Sequence, residues 1–189
     1  MRKIIIGVTG SFGSGKTTVS KIFAKLGAVV IDADNLCHDF LNNPNLKSKI
    51  LNIFGTTNRK KIGEIVFNNK ALLKKLEKIL HPCVIQEIKN KVRKTNKKLI
   101  VIDAPLLIES GLNKFVDKVI VVKTNYSNQI KRIQRKTILS KNQIIKRIKL
   151  QMPLKEKLKF SNYVVDNNGS ISDIEKQVKK ILQNSKGVK

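Results

Sequence analysis

Acidic residues are scarce in this chain. Asp and Glu account for 13 of its 189 residues, against 39 Lys and Arg, which gives a formal net charge of +26. Tryptophan is absent, aromatic residues make up 5%, and arginine supplies only six of the cations. Proteins that read nucleic acids rely on arginine and on aromatic stacking. We therefore interpret the lysine excess as a solvated surface that also attracts anionic substrates, and we expect no specific nucleic-acid partner.

Cysteines and long apolar runs are also few. Cys37 and Cys83 form no closely spaced pair, so we expect two free thiols rather than a disulfide or a zinc site. No apolar run is long enough to span a bilayer, and the run after Arg2 and Lys3 is shorter than the core of a secretory signal. We expect a cytoplasmic protein without a membrane partner, and we favour a monomer.

A glycine-rich segment follows the first apolar run. Residues 4–9 predict a buried strand, Gly10–Thr17 matches the phosphate-loop pattern G-x-x-x-x-G-K-[ST], and residues 18–26 have helical spacing. Glycines let the backbone fold around phosphate oxygens at the start of a helix. The pattern predicts that Lys16 reaches the terminal phosphates of a nucleotide and that the Thr17 hydroxyl binds Mg²⁺. The alternative is a Gly/Ser-rich turn that matches by accident.

Strand-like and helix-like segments alternate along the rest of the chain, which is typical of a parallel α/β sheet. About sixty-five residues separate the second and third predicted strands, too many for one crossover helix. We expect a helical insertion there, where such folds commonly house substrate specificity. The predicted strands are residues 4–9, 28–32, 99–103, 118–122 and 163–165.

Local signals also predict where several helices begin and end. Apolar spacing predicts helices over residues 69–80 and 83–94, with Pro82 ending the first. Capping-box patterns predict helix starts at two serines, each followed three residues later by Gln or Glu. These pairs are Ser140 with Gln143 and Ser172 with Glu175.

Three of the few acidic residues follow predicted strands, at the sheet edge where open α/β proteins bind ligands. Asp103 ends an apolar strand and is a candidate to hold Mg²⁺ directly or through water. Asp32 and Asp34 follow the second strand, and one of them is a candidate to accept the proton of a substrate hydroxyl. Each of these carboxylates has an alternative role as the cap of a following helix.

The motifs, taken in order, resemble the dephospho-coenzyme A kinase family, and the shared segments cover nearly the whole chain. They are Gly10–Thr18, Leu26-Gly27, Val30–Asp34, Phe54-Gly55, Asn58-Arg59, Val66-Phe67, Leu76-Glu77, His81-Pro82, Pro105–Glu109, Arg132 with Arg135, Arg147 with Gln151, and Val165–Gly169. The resemblance implies ATP-dependent phosphorylation of the ribose 3′-hydroxyl of dephospho-coenzyme A, the last step of coenzyme A synthesis, with ATP and dephospho-coenzyme A as partners and Mg²⁺ as cofactor.

The resemblance also implies the architecture: an α/β, three-layer P-loop core with a parallel sheet, a helical insertion that binds the coenzyme and a small helical lid. We expect the core at about residues 1–36, 97–130 and 160–189. The insertion is expected at about 37–96 and the lid at about 131–159.

Roles for single residues follow from the same resemblance. Lys16 and Asp34 are expected to be catalytic, with Asp34 as the base. The resemblance also implies that Arg132, Arg135 and Arg147 flank the lid that closes over ATP, and Arg135 and Arg147 have an alternative role as solvated cations on a helix face. The expected ATP-binding residues are Gly13, Ser14, Gly15, Lys16, Thr17, Thr18, Arg132 and Arg147. The expected substrate-binding residues are Asp32, Asp34, His38, Arg59 and His81, and the expected metal ligands are Thr17 and Asp103.

Two other functions stay open at this point. A nucleoside or nucleotide kinase shares the core and the lid, and a nucleic-acid-dependent ATPase is suggested by charge alone. A regulatory GTPase is disfavoured, because the sequence lacks the Asn-Lys-x-Asp tetrapeptide that reads guanine.

Overall fold

The computed structural model describes residues 3–186 and joins the five apolar runs in one parallel sheet. The strand order is β2-β3-β1-β4-β5, so the first strand lies at the centre. Continuous β-branched runs suit strands that are buried on both faces, which is why sequence pattern located them well. The predicted strands are confirmed, with ends that move by at most one residue. They are β1 (Ile4–Thr9), β2 (Val29–Asp32), β3 (Leu99–Asp103), β4 (Lys118–Lys123) and β5 (Tyr163–Asp166).

Nine α-helices accompany the sheet within residues 3–186. Their bounds are α1 (Lys16–Lys25), α2 (Ala33–Leu41), α3 (Pro44–Phe54), α4 (Arg59–Asn68), α5 (Lys70–Lys94), α6 (Tyr126–Gln134), α7 (Lys141–Leu150), α8 (Leu154–Leu158) and α9 (Ile171–Lys186). No helix in the described part of the chain is both long enough and apolar enough to cross a membrane.

The main core lies where α1 and α9 cover one face of the sheet. Alternate strand residues, among them Ile6, Val8 and Ile120, pack there against Phe23 of α1 and Val178 of α9. On the opposite face of the sheet, the segment after β3 comes very close to the central strand β1. A Cβ placed on Gly7 would lie 2.6 Å from Leu107 Cδ2, so the segment after β3 packs directly on the backbone of β1. This packing fixes the carboxyl edge of β1, from which the glycine-rich loop starts.

The chain divides into two compact units, one running to Ile31 and resuming at Asn96, and the other spanning Asp32–Thr95. The second unit contains α2–α5, so the expected helical insertion between the second and third strands is confirmed. Its own core includes Leu41, Ile50, Phe54, Ile62 and Leu80. The side chains of Asp32, Asn43, Asn58 and Asn69 each accept a backbone N–H at the start of one of its helices.

The prediction that Pro82 ends a helix is wrong. Residues 70–94 form the single helix α5, with Pro82 inside it. Proline lacks an N–H and crowds the preceding turn, which normally interrupts a helix. Here Ile79 and Leu80 before the proline and Val84 and Ile88 after it are all buried, so packing on both sides outweighs the local penalty.

One capping box is confirmed and the other lies elsewhere. Ser140 Oγ accepts the Gln143 N–H, and the Gln143 side chain accepts the Ser140 N–H in return. The prediction of Ser172 with Glu175 is wrong, because α9 begins two residues earlier. Ser170 Oγ accepts the Asp173 N–H at 3.2 Å, and Asp173 Oδ2 accepts the Ser170 N–H at 3.0 Å. The stretch contains both Ser170 and Ser172, and the side chain of Asp173 can accept the N–H of the capping serine as Glu does.

Candidate functional site

The glycine-rich loop joins β1 to α1, as the motif predicts. Gly13 has φ +78° and Gly15 has φ +93°, left-handed values that favour glycine over any other residue. Helix α1 starts at Lys16, and its N-cap Gly15 contributes no side-chain hydrogen bond to the first N–H groups of the helix. Such N–H groups, at the positive end of the helix dipole, suit an anion.

Lys16 extends over the loop that precedes it. Its Nζ donates to the carbonyl oxygen of Gly10 at 3.3 Å and to that of Ser11 at 3.4 Å. The ammonium is therefore held inside the curve of the loop rather than in solvent. A point charge at this place can stabilise negative charge on phosphoryl oxygens.

Asn167, which lies between β5 and α9, supports the loop from outside. Its Nδ2 donates to the Ser14 carbonyl at 2.7 Å, and the residue is 3% exposed. Arg132 holds Asn167 in turn, because its Nη2 donates to the Asn167 carbonyl at 2.9 Å and to Oδ1 at 3.2 Å. Sequence reasoning gave Asn167 no role. The only signal for it is its place in the Val165–Gly169 segment.

The three arginines in and around the expected lid have different surroundings. Arg132 braces Asn167 and also donates to Thr124 Oγ1 at 3.4 Å, beside the loop. Arg135 and Arg147 instead line one cavity of about 660 Å³ formed by the end of α6, the turn before α7 and α7 itself. Burial lowers the pKa of the Arg147 guanidinium. The structure thus brings Arg135 and Arg147 together and places Arg132 against the phosphate loop.

We call α6, α7 and α8, residues 126–158, the arm. The arm contacts the loop at Phe12, whose N–H donates to Gln151 Oε1 at 2.8 Å and whose carbonyl accepts a hydrogen bond from Gln129 Nε2. The Phe12 ring packs on an apolar cluster that includes Ile130, Ile133 and Ile144. A cavity of about 430 Å³ lies beside this contact. Its lining includes Ser11, Ser14, Thr124, Gln129, Gln151 and Met152.

An ion pair between a fully buried lysine and Glu109, which sequence reasoning missed, anchors the far end of the arm. The Lys157 side chain is 0% exposed, and its Nζ lies 2.8 Å from Glu109 Oε1 and 2.6 Å from the Pro105 carbonyl oxygen. Burial lowers the pKa of Lys157, although the bond to Glu109 acts in the opposite direction. Thr9 Oγ1 donates to the same Pro105 carbonyl at 3.1 Å, so the pair also contacts the end of β1.

In the helical unit, predicted substrate residues gather around Cys37. Burial first, and then the charges of Asp34 and Asp32, raise the pKa of the Cys37 thiol from 9.0 to about 12, while Arg59 lowers it. Asp32 Oδ1 accepts the Asn35 N–H at 3.0 Å, so this carboxylate caps α2. His38 lies one turn after Asp34 on the same helix face. His81 is half-buried in α5, which packs against α2.

The predicted metal ligands both lie in the sheet unit. Thr17 is in the first turn of α1, and Asp103 ends β3, whose backbone pairs with β1 so that Asp103 is opposite Val8. Asp103 is 5% exposed. A hydroxyl and a carboxylate are the hard oxygen donors that Mg²⁺ prefers, and Mg²⁺ commonly takes one or two protein oxygens together with substrate phosphates. The donor set at this edge therefore fits Mg²⁺.

This combination of loop, insertion and arm has a close counterpart among known proteins. A family model described as dephospho-CoA kinase matches residues 4–173. The chain belongs to the dephospho-CoA kinase family. Members of this family are phosphotransferases that act on dephospho-CoA in coenzyme A biosynthesis.

Single proteins agree with the family match. A dephospho-CoA kinase from Lactobacillus johnsonii is 40% identical, over 94% of this chain and 96% of its own. A solved dephospho-CoA kinase from Campylobacter jejuni has a TM-score of 0.67 at 34% identity, covering 97% of this chain and 98% of its own. Shikimate kinase from Acinetobacter baumannii, with a TM-score of 0.59 at 20% identity over 99% of this chain and 96% of its own, shares the fold.

Proposed function

We propose that this chain transfers the γ-phosphoryl group of ATP to the ribose 3′-hydroxyl of dephospho-coenzyme A and so produces coenzyme A. The observation that carries the proposal is the phosphate loop, which follows the central strand β1 in a chain whose family match spans the loop, the helical insertion and the arm. Phosphoryl transfer requires that the protein position the reactants and stabilise charge on the transferring group, and the backbone of this loop and Lys16 can provide both.

Residues of the sheet unit would hold the ATP. The backbone from Gly13 to Thr18 encloses the phosphates, and Lys16 stabilises the charge of the transferring phosphoryl group. Arg132 and Arg147 act on the nucleotide from the arm, which contains most of the expected lid. Arg147 is supported by the open cavity that it shares with Arg135, where two guanidinium groups can neutralise negative charge. Arg132 is supported by its place against the loop.

Mg²⁺ is the cofactor that these donors fit, with the Thr17 hydroxyl and Asp103 holding it. When bound, it neutralises charge on the phosphate oxygens. Asp103 is buried and ends a strand beside β1, so it is positioned by the sheet rather than by a mobile loop.

Residues of the helical unit would bind dephospho-coenzyme A. Asp34 is exposed in the first turn of α2, where a substrate hydroxyl can reach it. We assign it the role of base for the 3′-hydroxyl. Asp32, His38, Arg59 and His81 are assigned to substrate binding. In support, Asp32, Asp34 and Arg59 all act electrostatically on Cys37 and therefore lie near one another.

A coupled assay of ADP release tests the proposal with purified protein, Mg²⁺ and ATP. Dephospho-coenzyme A should give the highest kcat/KM in a panel that also contains nucleosides and nucleoside monophosphates, and the product should be coenzyme A. Lys16→Ala, prepared in the same way, reports the background from contaminating kinases. A higher kcat/KM with a nucleoside or its monophosphate would refute the proposal in favour of a nucleotide kinase. Turnover without acceptor that rises on addition of DNA or RNA would instead indicate a nucleic-acid-dependent ATPase.

A further inference from the structure

We propose that Gln151 is a positioning residue for the phosphate loop, because its hydrogen bond to Phe12 couples the nucleotide-binding shape of the loop to the position of the arm. The inference rests on the proposed function only in taking ATP as the donor. Gln151 follows α7, and 139 residues separate it from Phe12 along the chain. The bond therefore joins two elements that no local structure would otherwise bring together.

The backbone of Phe12 is held on both sides by the arm. Gln151 accepts the N–H of Phe12, and Gln129 donates to its carbonyl oxygen. The next residue along the loop also touches the arm, since a Cβ on Gly13 would lie 2.5 Å from Ile133 Cγ1. A displacement of the arm must therefore break these bonds or move residues 12 and 13 with it. These residues form the centre of the turn that the Ser14 N–H closes on the Ser11 carbonyl at 3.0 Å, shortly before Lys16.

Gln151 is itself fixed by the ion pair between Lys157 and Glu109. The neighbouring Met152 N–H donates to Glu109 Oε1 at 3.0 Å, and the same carboxylate pairs with Lys157, whose side chain is 0% exposed. Glu109 belongs to the segment after β3, so the sheet holds the backbone at residue 152 while the side chain of residue 151 holds the loop. Through Pro105, the pair also contacts Thr9, the residue before the loop.

The hydrogen bond that Gln151 accepts should affect nucleotide affinity as well as stability. Loss of the Gln151 amide leaves the Phe12 N–H, which is part-buried, without its acceptor and frees the Ser11–Phe12 peptide plane to rotate. A freed loop must be ordered again when ATP binds, so the loss appears in nucleotide affinity. Net hydrogen bond energies correspond to about a tenfold change in a binding constant. An acceptor bound elsewhere should be affected much less.

The test compares Gln151→Met with the wild type in Mg²⁺ and ATP. Gln151→Met keeps the length of the side chain and removes its acceptor. We expect the Kd and the KM for ATP to rise about tenfold, with the KM for the acceptor and kcat changed by less than about threefold. Hydrogen exchange at the Phe12 amide, followed by NMR, should become faster in the variant. Gln183→Met, on the exposed surface of α9, is the matched control and should leave all four values unchanged.

Other outcomes overturn the proposal. A folded Gln151→Met with wild-type ATP affinity and wild-type exchange at Phe12 would show that the bond does not shape the loop. Equal rises in the KM for ATP and for the acceptor would indicate a general structural defect. If Gln151→Met does not fold by circular dichroism, Gln151→Asn, whose shorter amide withdraws from Phe12, carries the same expectations. Failure of the wild type to phosphorylate dephospho-coenzyme A refutes the proposed function but leaves the ATP-binding measurement intact.

Discussion

Gly15 offers a direct test of how the loop is held. Its φ of +93° is left-handed, and a Cβ added there would overlap Asn167 Nδ2, the donor to the Ser14 carbonyl. Gly27 has almost the same φ, +92°, but a Cβ there would meet nothing within 4 Å. Gly15→Ala and Gly27→Ala therefore carry the same backbone strain, and only the first also displaces a neighbour.

The two costs can be separated by magnitude. An alanine in the left-handed region costs about 1–2 kcal/mol, which both variants bear. Gly15→Ala also breaks a buried hydrogen bond of 2.7 Å, and leaving such a group without a partner costs about 1–3 kcal/mol more. We expect Gly27→Ala to lower the free energy of unfolding by about 1–2 kcal/mol and Gly15→Ala by about 2–5 kcal/mol.

Urea unfolding followed by circular dichroism measures both losses, since the chain has no tryptophan to serve as a fluorescent probe. Titration calorimetry with Mg²⁺ and a non-hydrolysable ATP analogue should show binding weakened in Gly15→Ala and unchanged in Gly27→Ala. Equal losses of unfolding free energy in the two variants would refute the argument, because the contact with Asn167 would then contribute nothing.

Three further predictions concern single groups. Lys16→Ala should lower turnover by about 10²- to 10³-fold, and near wild-type turnover at saturating ATP would contradict the assignment of the loop. Because only the unfolded chain ionises Cys37 between pH 9.0 and about 12, the free energy of unfolding should fall as pH rises through that window. Cys37→Ala should lack this part of the fall in urea titrations, and an unchanged slope would contradict it. Asp34→Asn should lower turnover while calorimetric ATP affinity stays near that of the wild type.

Elements that depend on local pattern were predictable, and those that depend on distant partners were not. The strands are continuous apolar runs, and the phosphate-loop motif has glycines at set positions. Both could therefore be predicted from the sequence. Pro82 misled the prediction because a local rule cannot see burial on either side of the proline. Ser170 was missed because the sequence offers two serines and the box was sought with Glu or Gln alone.

The residues that hold the site in place could not be predicted from sequence pattern, because their partners are distant along the chain. Asn167 bonds a carbonyl 153 residues away, and no periodicity links the two positions. Lys157 is fully buried, yet in a chain so rich in lysine nothing marks it as different from a solvated cation. Gln151 and Glu109 belonged to segments shared with the family, but only coordinates show what they touch. The sequence thus predicts the groups that would meet ATP better than those that hold them in place.

The two neighbouring aspartates can be told apart because the structure gives them different local tasks. Asp32 caps α2 by accepting the Asn35 N–H at 3.0 Å, whereas Asp34 is the second residue of the helix and is exposed. Asn caps a helix about as well as Asp, so Asp32→Asn removes a charge and keeps the cap. Asp34→Asn keeps the shape and removes the proposed base.

Positioned proton transfer is worth about 10²- to 10⁴-fold, and a loose phosphoryl-transfer transition state favours the lower end. We therefore expect kcat with dephospho-coenzyme A to fall about 10²-fold in Asp34→Asn, and Asp32→Asn to change the Mg²⁺ dependence if it organises the metal. The reverse pattern, with full turnover in Asp34→Asn and loss in Asp32→Asn, would move the base to Asp32.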